Sequence, residues 1–125
     1  MAGETILVVD DNPLNIKLAR TVLVKAGYVV HIASDAPTTL AQLELVVPQL
    51  IILDLLLPDI DGFELARQLK DDVRYRDIPI IAMTASGLVR DEERARLAGC
   101  EAYLSKPFEI DVLLRTVEHH LHPTN

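Results

Sequence analysis

Short runs of β-branched or aliphatic residues alternate along this chain with longer segments whose apolar residues recur at helical spacing, the pattern of a parallel sheet with crossover helices. The runs that read as strands are Ile6 to Val9, Val29 to Ala33, Leu50 to Leu53, Ile78 to Met83 and Ala102 to Leu104. Between the first two, Leu14, Leu18, Val22 and Leu23 share one helical face, with Asn12 as N-cap, Pro13 at the first helical position and Gly27 as the stop. A second helix is expected from about Ala36 and Pro37 with Leu40 and Leu43 facing inward, closed by Pro48. A third starts at Asp61 or Gly62 and turns Phe63, Ala66 and Leu69 to the sheet. The fourth runs roughly from Leu88 to Ala98 and is stopped by Gly99, and the fifth from about Ile110 to Leu121.

Five βα units with right-handed crossovers put helices on both faces of one sheet and open the carboxyl ends of all strands on one edge. Several chemically useful residues are expected at that edge: Asp10 and Asp11 after the first strand, Asp54 after the third, Thr84 after the fourth and Lys106 after the fifth. Each has a plainer reading of its own. Asp10 and Asp11 suit a helix N-terminus, Thr84 a turn, and Lys106 a solvated surface. Lys106 precedes Pro107, and such a step can lock a loop, including through a cis bond. Their convergence from four strands is what argues for a site. Asp54 is the most telling member, because Leu50-Ile51-Ile52-Leu53 precede it and Leu55-Leu56-Leu57 follow, and a carboxylate set in hydrocarbon is costly unless paired or used.

Composition narrows the partners. The 125 residues suit one domain with a real core, half of them are apolar and a quarter charged, and no stretch is repetitive or rich in Gly and Ser. Nineteen acidic against 12 basic residues give a net charge of -7, with the cations scattered, which disfavours direct nucleic-acid binding. No basic leader opens the sequence and no apolar run approaches the roughly 20 residues of a membrane helix, so a cytoplasmic protein without membrane insertion is expected. Cys100 is the single cysteine and reads as a small buried hydrophobe, with no internal disulfide to form.

The chemistry that needs three carboxylates, a hydroxyl and an ammonium at one edge is phosphoryl transfer to a carboxylate. Clustered acidic side chains attract a hard divalent cation, Mg2+ or Mn2+, which bridges to phosphate oxygens. Thr84 can donate to one phosphoryl oxygen and Lys106 can pair with another. Three aspartates, the cation and Lys106 sum to zero charge, and an acyl phosphate on Asp54 leaves the site one unit more negative, drawing Thr84 and Lys106 inward.

Val8-Val9-Asp10-Asp11-Asn12, Leu53-Asp54-Leu55-Leu56-Leu57-Pro58-Asp59-Ile60-Asp61-Gly62, Met83-Thr84-Ala85 and Tyr103-Leu104-Ser105-Lys106-Pro107-Phe108 together resemble the signature blocks of response-regulator receiver domains of two-component signalling. The resemblance covers essentially the whole chain, with a core of about residues 5–121. It implies a flavodoxin-like (βα)5 three-layer sandwich whose doubly wound five-stranded parallel sheet has strand order 2-1-3-4-5. It further implies that Asp54 is the phosphoacceptor and that Asp11, Asp10 and the backbone carbonyl of Leu56 hold the metal with Asp54. Thr84 and Tyr103 would form a switch pair read out on helix 4, strand 5 and helix 5. The donor would be a phosphohistidine on a histidine kinase or histidine phosphotransfer protein, and a protein partner would receive the output. Such a domain assists its own phosphorylation and loses the phosphate slowly, without being an enzyme in the ordinary sense. The segment Gly99-Cys100-Glu101-Ala102-Tyr103 leans towards single-domain regulators of the cell-cycle type and hybrid-kinase receivers.

Two alternatives stay open: a phosphate-independent interaction module with the same fold, and a metal-dependent hydrolase with Asp54 as nucleophile, which lacks a strong water-activating base. No phosphate-binding glycine motif and no sensible Ser-His-Asp set is present. Asp59-Ile60-Asp61-Gly62 superficially matches a phosphatase start and part of a calcium loop, but its context favours capping of the third helix. Leu56 offers no hydrogen bond to an attacking water, so it is expected to give dephosphorylation no special acceleration. The run from Arg90 to Arg96 reads as a solvated and partner-facing helix surface. His119, His120 and His122 suit a helix C-terminus better than a metal, and His31 reads as a structural or surface residue and not as a phosphodonor.

Overall fold

The computed structural model describes residues 3–85, 89–106 and 108–122, with the backbone alone at Val89. Strands β1 (Thr5–Val9), β2 (Val29–Ala33), β3 (Leu50–Asp54), β4 (Ile80–Thr84) and β5 (Ala102–Ser105) alternate with helices α1 (Pro13–Lys25), α2 (Ala36–Leu45), α3 (Gly62–Asp71), α4 (Val89–Leu97) and α5 (Ile110–Leu121). All strand pairings are parallel and the order is β2-β1-β3-β4-β5, as expected.

The alternation of side chains along each strand divides the core into two layers. Leu7, Val9, Ile51, Leu53, Ile80 and Ala82 point to the face covered by α2, α3 and α4, where they meet Leu43, Leu65, Leu69 and Ala95. Ile6, Val8, Leu50, Ile52, Ile81 and Met83 point to the opposite face, against Ala19 and Leu23 of α1 and Leu113 and Val117 of α5. Every residue of β3 and β4 is buried, which is why these strands read as unbroken apolar runs.

Local signals set the helix ends. Asn12 accepts from the amides of Leu14 and Asn15, at 2.9 and 3.4 Å, and caps α1 as expected, with Pro13 in its first turn. Gly27, at φ 101°, ends that helix in the left-handed conformation that favours glycine. Asp61 caps α3 through the amide of Phe63 at 2.9 Å.

Some expectations about facing need correction. Leu14 and Leu18 are exposed on α1, at 74% and 42%, and the sheet instead receives Ala19 and Leu23, with Val22 half-buried. Leu40 is likewise exposed, and the buried positions of α2 are Ala36, Thr39 and Leu43. Thr39 is tolerated inside because its hydroxyl donates to the carbonyl of Asp35 at 2.7 Å. The fourth strand begins at Ile80 and not Ile78, whose amide bonds the carbonyl of Tyr75 in a preceding turn. A start of α4 at Leu88 and a cis bond before Pro107 fall outside the described residues.

Candidate functional site

The sheet order places β1 and β3 side by side, with their crossovers leaving to opposite faces, so a crevice opens beyond their carboxyl ends. Val9 pairs with Leu53, so the next residues, Asp10 and Asp54, emerge together at this crevice. Register across β3, β4 and β5 brings Asp54 beside Met83 and Thr84 beside Ser105. Lys106 follows at once, held by a 2.8 Å bond from its amide to the carbonyl of Thr84.

All five residues expected at the edge therefore lie there. Asp10, Asp54 and Thr84 are almost fully buried, and Asp11 is exposed. The ammonium of Lys106 donates to Oδ2 of Asp10 at 2.9 Å and to Oδ2 of Asp54 at 3.0 Å. The second oxygens of the same two carboxylates are also used. Oδ1 of Asp10 accepts from the amide of Asn12 at 2.9 Å, and Oδ1 of Asp54 accepts from the amide of Leu56 at 3.0 Å. Asp10, whose plainer reading is help in capping the first helix, bonds the amide of the cap residue Asn12 and also pairs with a lysine 96 residues away.

Burial pushes the Asp54 carboxyl above its ordinary range, and the nearby Asp10 adds to this against the hydrogen bonds from Leu56 and Lys106. Burial by itself would lower Lys106, yet its hydrogen bonds to Asp10 and Asp54 outweigh that and hold its proton more firmly than usual. One cation thus faces two carboxylates. Asp10, Asp11 and Asp54 each present an oxygen within 4.8 Å of the others, a set of hard donors that fits a divalent cation such as Mg2+ and leaves more negative charge than Lys106 alone neutralises.

The loop after Asp54 closes tightly on itself. Leu56 bridges Asp61, and the amide of Gly62 bonds the carbonyl of Leu55 at 3.1 Å. A Cβ at position 62 would fall 2.4 Å from the Cα of Leu55, so this approach requires glycine. Leu56 itself projects into solvent, at 65% exposure. Tyr103 is half-buried against the α2–α4 layer, and its hydroxyl is buried without a hydrogen-bond partner among the described residues.

Two tethers on this loop were not anticipated from sequence. The Asp59 carboxylate accepts from the amide of Ala36 at 3.3 and 3.2 Å, joining the loop to the start of α2. Arg94 of α4 reaches Asp61 at 3.4 Å. Both join segments distant in the chain, so only the compositional fact of an acidic loop near helix termini signalled them. Asp61 does cap α3, as expected for the Asp-Ile-Asp-Gly segment. His119 and His120 meet edge to face at the end of α5, and His122 pairs with Glu4, which leaves no cluster of three metal-ligating side chains there among the described residues.

With this geometry in view, the kinship of the chain is clear. Polar-differentiation response regulator DivK of Brucella ovis is 38% identical over 118 residues, covering 94% of this chain and 96% of that protein. The crystal structure of a response regulator from Chloroflexus aurantiacus superposes with a TM-score of 0.91 at 34% identity, covering 95% of this chain and 98% of that one. The receiver domain of a sensor histidine kinase from Pseudomonas aeruginosa gives a TM-score of 0.87 at 34% identity over 96% of this chain and 98% of its own, and that structure holds a magnesium ion in its active-site cleft. Among the described residues no helix is long and apolar enough to cross a membrane. Residues 6–118 match the response regulator receiver domain model, and the chain belongs to that family of two-component signalling domains.

Proposed function

We propose that this receiver domain is a phosphorylation-dependent switch whose Asp54 accepts a phosphoryl group from a phosphohistidine on a partner protein. The observation that carries the reading is the setting of Asp54, buried at the carboxyl edge with oxygens of Asp10 and Asp11 within 4.8 Å and the Lys106 ammonium at 3.0 Å.

In the transfer an oxygen of Asp54 forms the bond to phosphorus while the phosphorus–nitrogen bond breaks. The electron pair returns to the donor imidazole, which takes up a proton. Asp10, Asp11, Asp54 and the backbone carbonyl of Leu56 are the residues that would hold Mg2+ or Mn2+, whose charge would there offset that of the phosphoryl oxygens. Lys106 is already protonated and within reach of Asp54, so it is placed to pair with a further phosphoryl oxygen. Thr84 brings a hydroxyl from the adjacent strand β4, and Tyr103, one strand further on with a hydroxyl that has no partner among the described residues, is the residue whose surroundings change as Thr84 moves.

A protein donor is favoured by the surface beside the crevice. Leu14 and Leu18 on α1 and Ile110 at the start of α5 are exposed apolar side chains, and both helices begin within a few residues of Asp11 and Lys106. The similar Pseudomonas receiver is part of a sensor histidine kinase, which supports a histidine kinase as the class of partner.

The deciding experiment is incubation with acetyl phosphate and Mg2+ followed by intact mass measurement of wild type and Asp54→Ala. A phosphoryl adduct present in wild type and absent from the variant supports the switch. No adduct from acetyl phosphate or from a phosphorylated kinase would leave the phosphate-independent interaction module as the better reading, and rapid phosphate release without an adduct would favour the hydrolase.

A further inference from the structure

Most of the α4 surface is what its sequence suggests, a solvated run of charges, but Arg94 departs from that pattern. Its guanidinium carbon lies 3.9 Å from the centre of the Phe63 ring, its Nη2 is 3.4 Å from Oδ2 of Asp61, and its Nη1 is 4.0 Å from Oδ1 of Asp91. Phe63 is in the first turn of α3 and Asp61 is its cap. A cation over an aromatic face and beside a carboxylate is attracted by both.

Asp61 is a fixed anchor. Its other oxygen accepts from Phe63, its backbone bridges Leu56, and the adjoining Gly62 packs on Leu55 with no room for a side chain. Arg94 therefore ties α4 to the far end of the loop that begins at Asp54. Between loop and helix lies an open cleft of about 510 Å3 with Leu56, Ile60, Thr84 and Asp91 on its walls, and Arg94 closes one side. Thr84, which lines the same cleft, ends β4, and Val89 begins α4 close behind it in the chain. The Arg94 contacts resist a movement of α4 away from α3, because Asp61 and Gly62 are bonded to Leu56 and Leu55 in the loop that leaves β3.

We propose that Arg94 is a resting-state latch that holds α4 against the start of α3 and opposes the phosphorylated arrangement. The latch rests on the switch function proposed above and adds to it a regulator outside the aspartate cluster. A ligand shifts a two-state equilibrium by its differential affinity, so deleting a contact made only in the resting state tightens binding of anything that favours the other state. Both side chains of the Arg94–Asp61 pair are about half exposed, which keeps the ion pair weak, and the ring contact adds to it. The combined effect is about three-fold to five-fold in the equilibrium.

The test is titration of the full chain with beryllofluoride, a phosphoryl mimic, at saturating Mg2+, followed by amide NMR for wild type, Arg94→Ala, Arg94→Lys and Arg67→Ala. Arg67 is an exposed α3 residue paired with Glu64 and serves as a control for loss of one surface cation. Arg94→Ala is expected to bind beryllofluoride about three-fold to five-fold more tightly. Before any mimic is added, its α4 amide signals should already lie part of the way along the path that wild type follows on binding. Arg94→Lys, which keeps the charge but not the planar stacking, should fall between, and Arg67→Ala should match wild type. Affinity and α4 signals in Arg94→Ala equal to wild type, or a shift of equal size in Arg67→Ala, would overturn the latch while leaving the switch intact. Failure of wild type to bind the mimic would overturn both.

Discussion

The ammonium of Lys106 lies 3.0 Å from Oδ2 of Asp54 and is shared with Asp10, so a single cation bridges the ends of β1 and β3 from the end of β5. Replacing it with methionine leaves two buried carboxylates facing each other without compensation. Because Lys106 and its partners sit at a crevice that water reaches, the cost is below that of a fully enclosed pair, about 1 to 2 kcal/mol. Urea denaturation of Lys106→Met should show this loss without metal, and saturating Mg2+ should recover more stability in the variant than it adds to wild type. An equal Mg2+ effect in both proteins would remove the electrostatic account.

Leu18 is an exposed apolar residue of α1, the helix that begins just after Asp11. Leu18→Glu should leave phosphorylation by acetyl phosphate unchanged, because the side chain is 42% exposed and does not enter the aspartate cluster. Transfer from a phosphorylated histidine kinase or phosphotransfer protein that serves wild type should fall about ten-fold or more, as for a buried contact at a protein interface. Equal loss with both donors would locate the effect in the fold and not in docking.

Leu56, two residues after Asp54, is 65% exposed and its side chain has nothing to offer a water molecule. A polar group there can orient the attacking water, and even modest positioning changes a rate severalfold, so Leu56→Asn should shorten the acyl-phosphate lifetime by about three-fold or more. Decay of the phosphoryl adduct, followed by intact mass, measures it, and an unchanged lifetime would strip position 56 of this role.

Cys100 is buried in the α2–α4 layer, and burial pushes its thiol up to about 11 from an ordinary 9.0. The folded state favours the neutral thiol, so this contribution to stability is complete below about pH 9 and is lost as pH rises through about 11, an amount of roughly 2 to 3 kcal/mol. Tyr28, raised by burial and by its 2.9 Å bond to Glu118, to about 12, adds a second alkaline loss just above it. Stability measured from pH 8 to 11 should fall less steeply in Cys100→Ala than in wild type. A thiol reagent at pH 8 should label Cys100 only as the chain unfolds. Fast labelling of the native protein would contradict its burial.

Much of this was visible in the chain, for reasons that can be named. The fully buried strands β3 and β4 announced themselves as apolar runs because a central parallel strand meets hydrocarbon on both faces. Helix starts at Asn12 and Asp61 were readable because caps are local chemistry. The facing of α1 was not. Its sequence Leu14, Ile16, Leu18, Ala19, Val22, Leu23 and Val24 is apolar in most directions, so periodicity could not choose, and packing against the sheet selected Ala19 and Leu23. On α2, a local hydroxyl bond let Thr39 enter the core in place of Leu40.

What the sequence determined by itself was the set of five βα units and the identity of the polar residues that end their strands, because both follow from local period and composition. What only the tertiary structure decided was which of those residues touch. The 3.0 Å approach of Lys106 to Asp54 spans 52 residues, the Asp59 tether to α2 spans 23, and the Arg94 contact with Asp61 spans 33. Each depends on strand order and helix position, which are settled by burying two apolar layers on the two faces of one sheet and not by any neighbour in the chain.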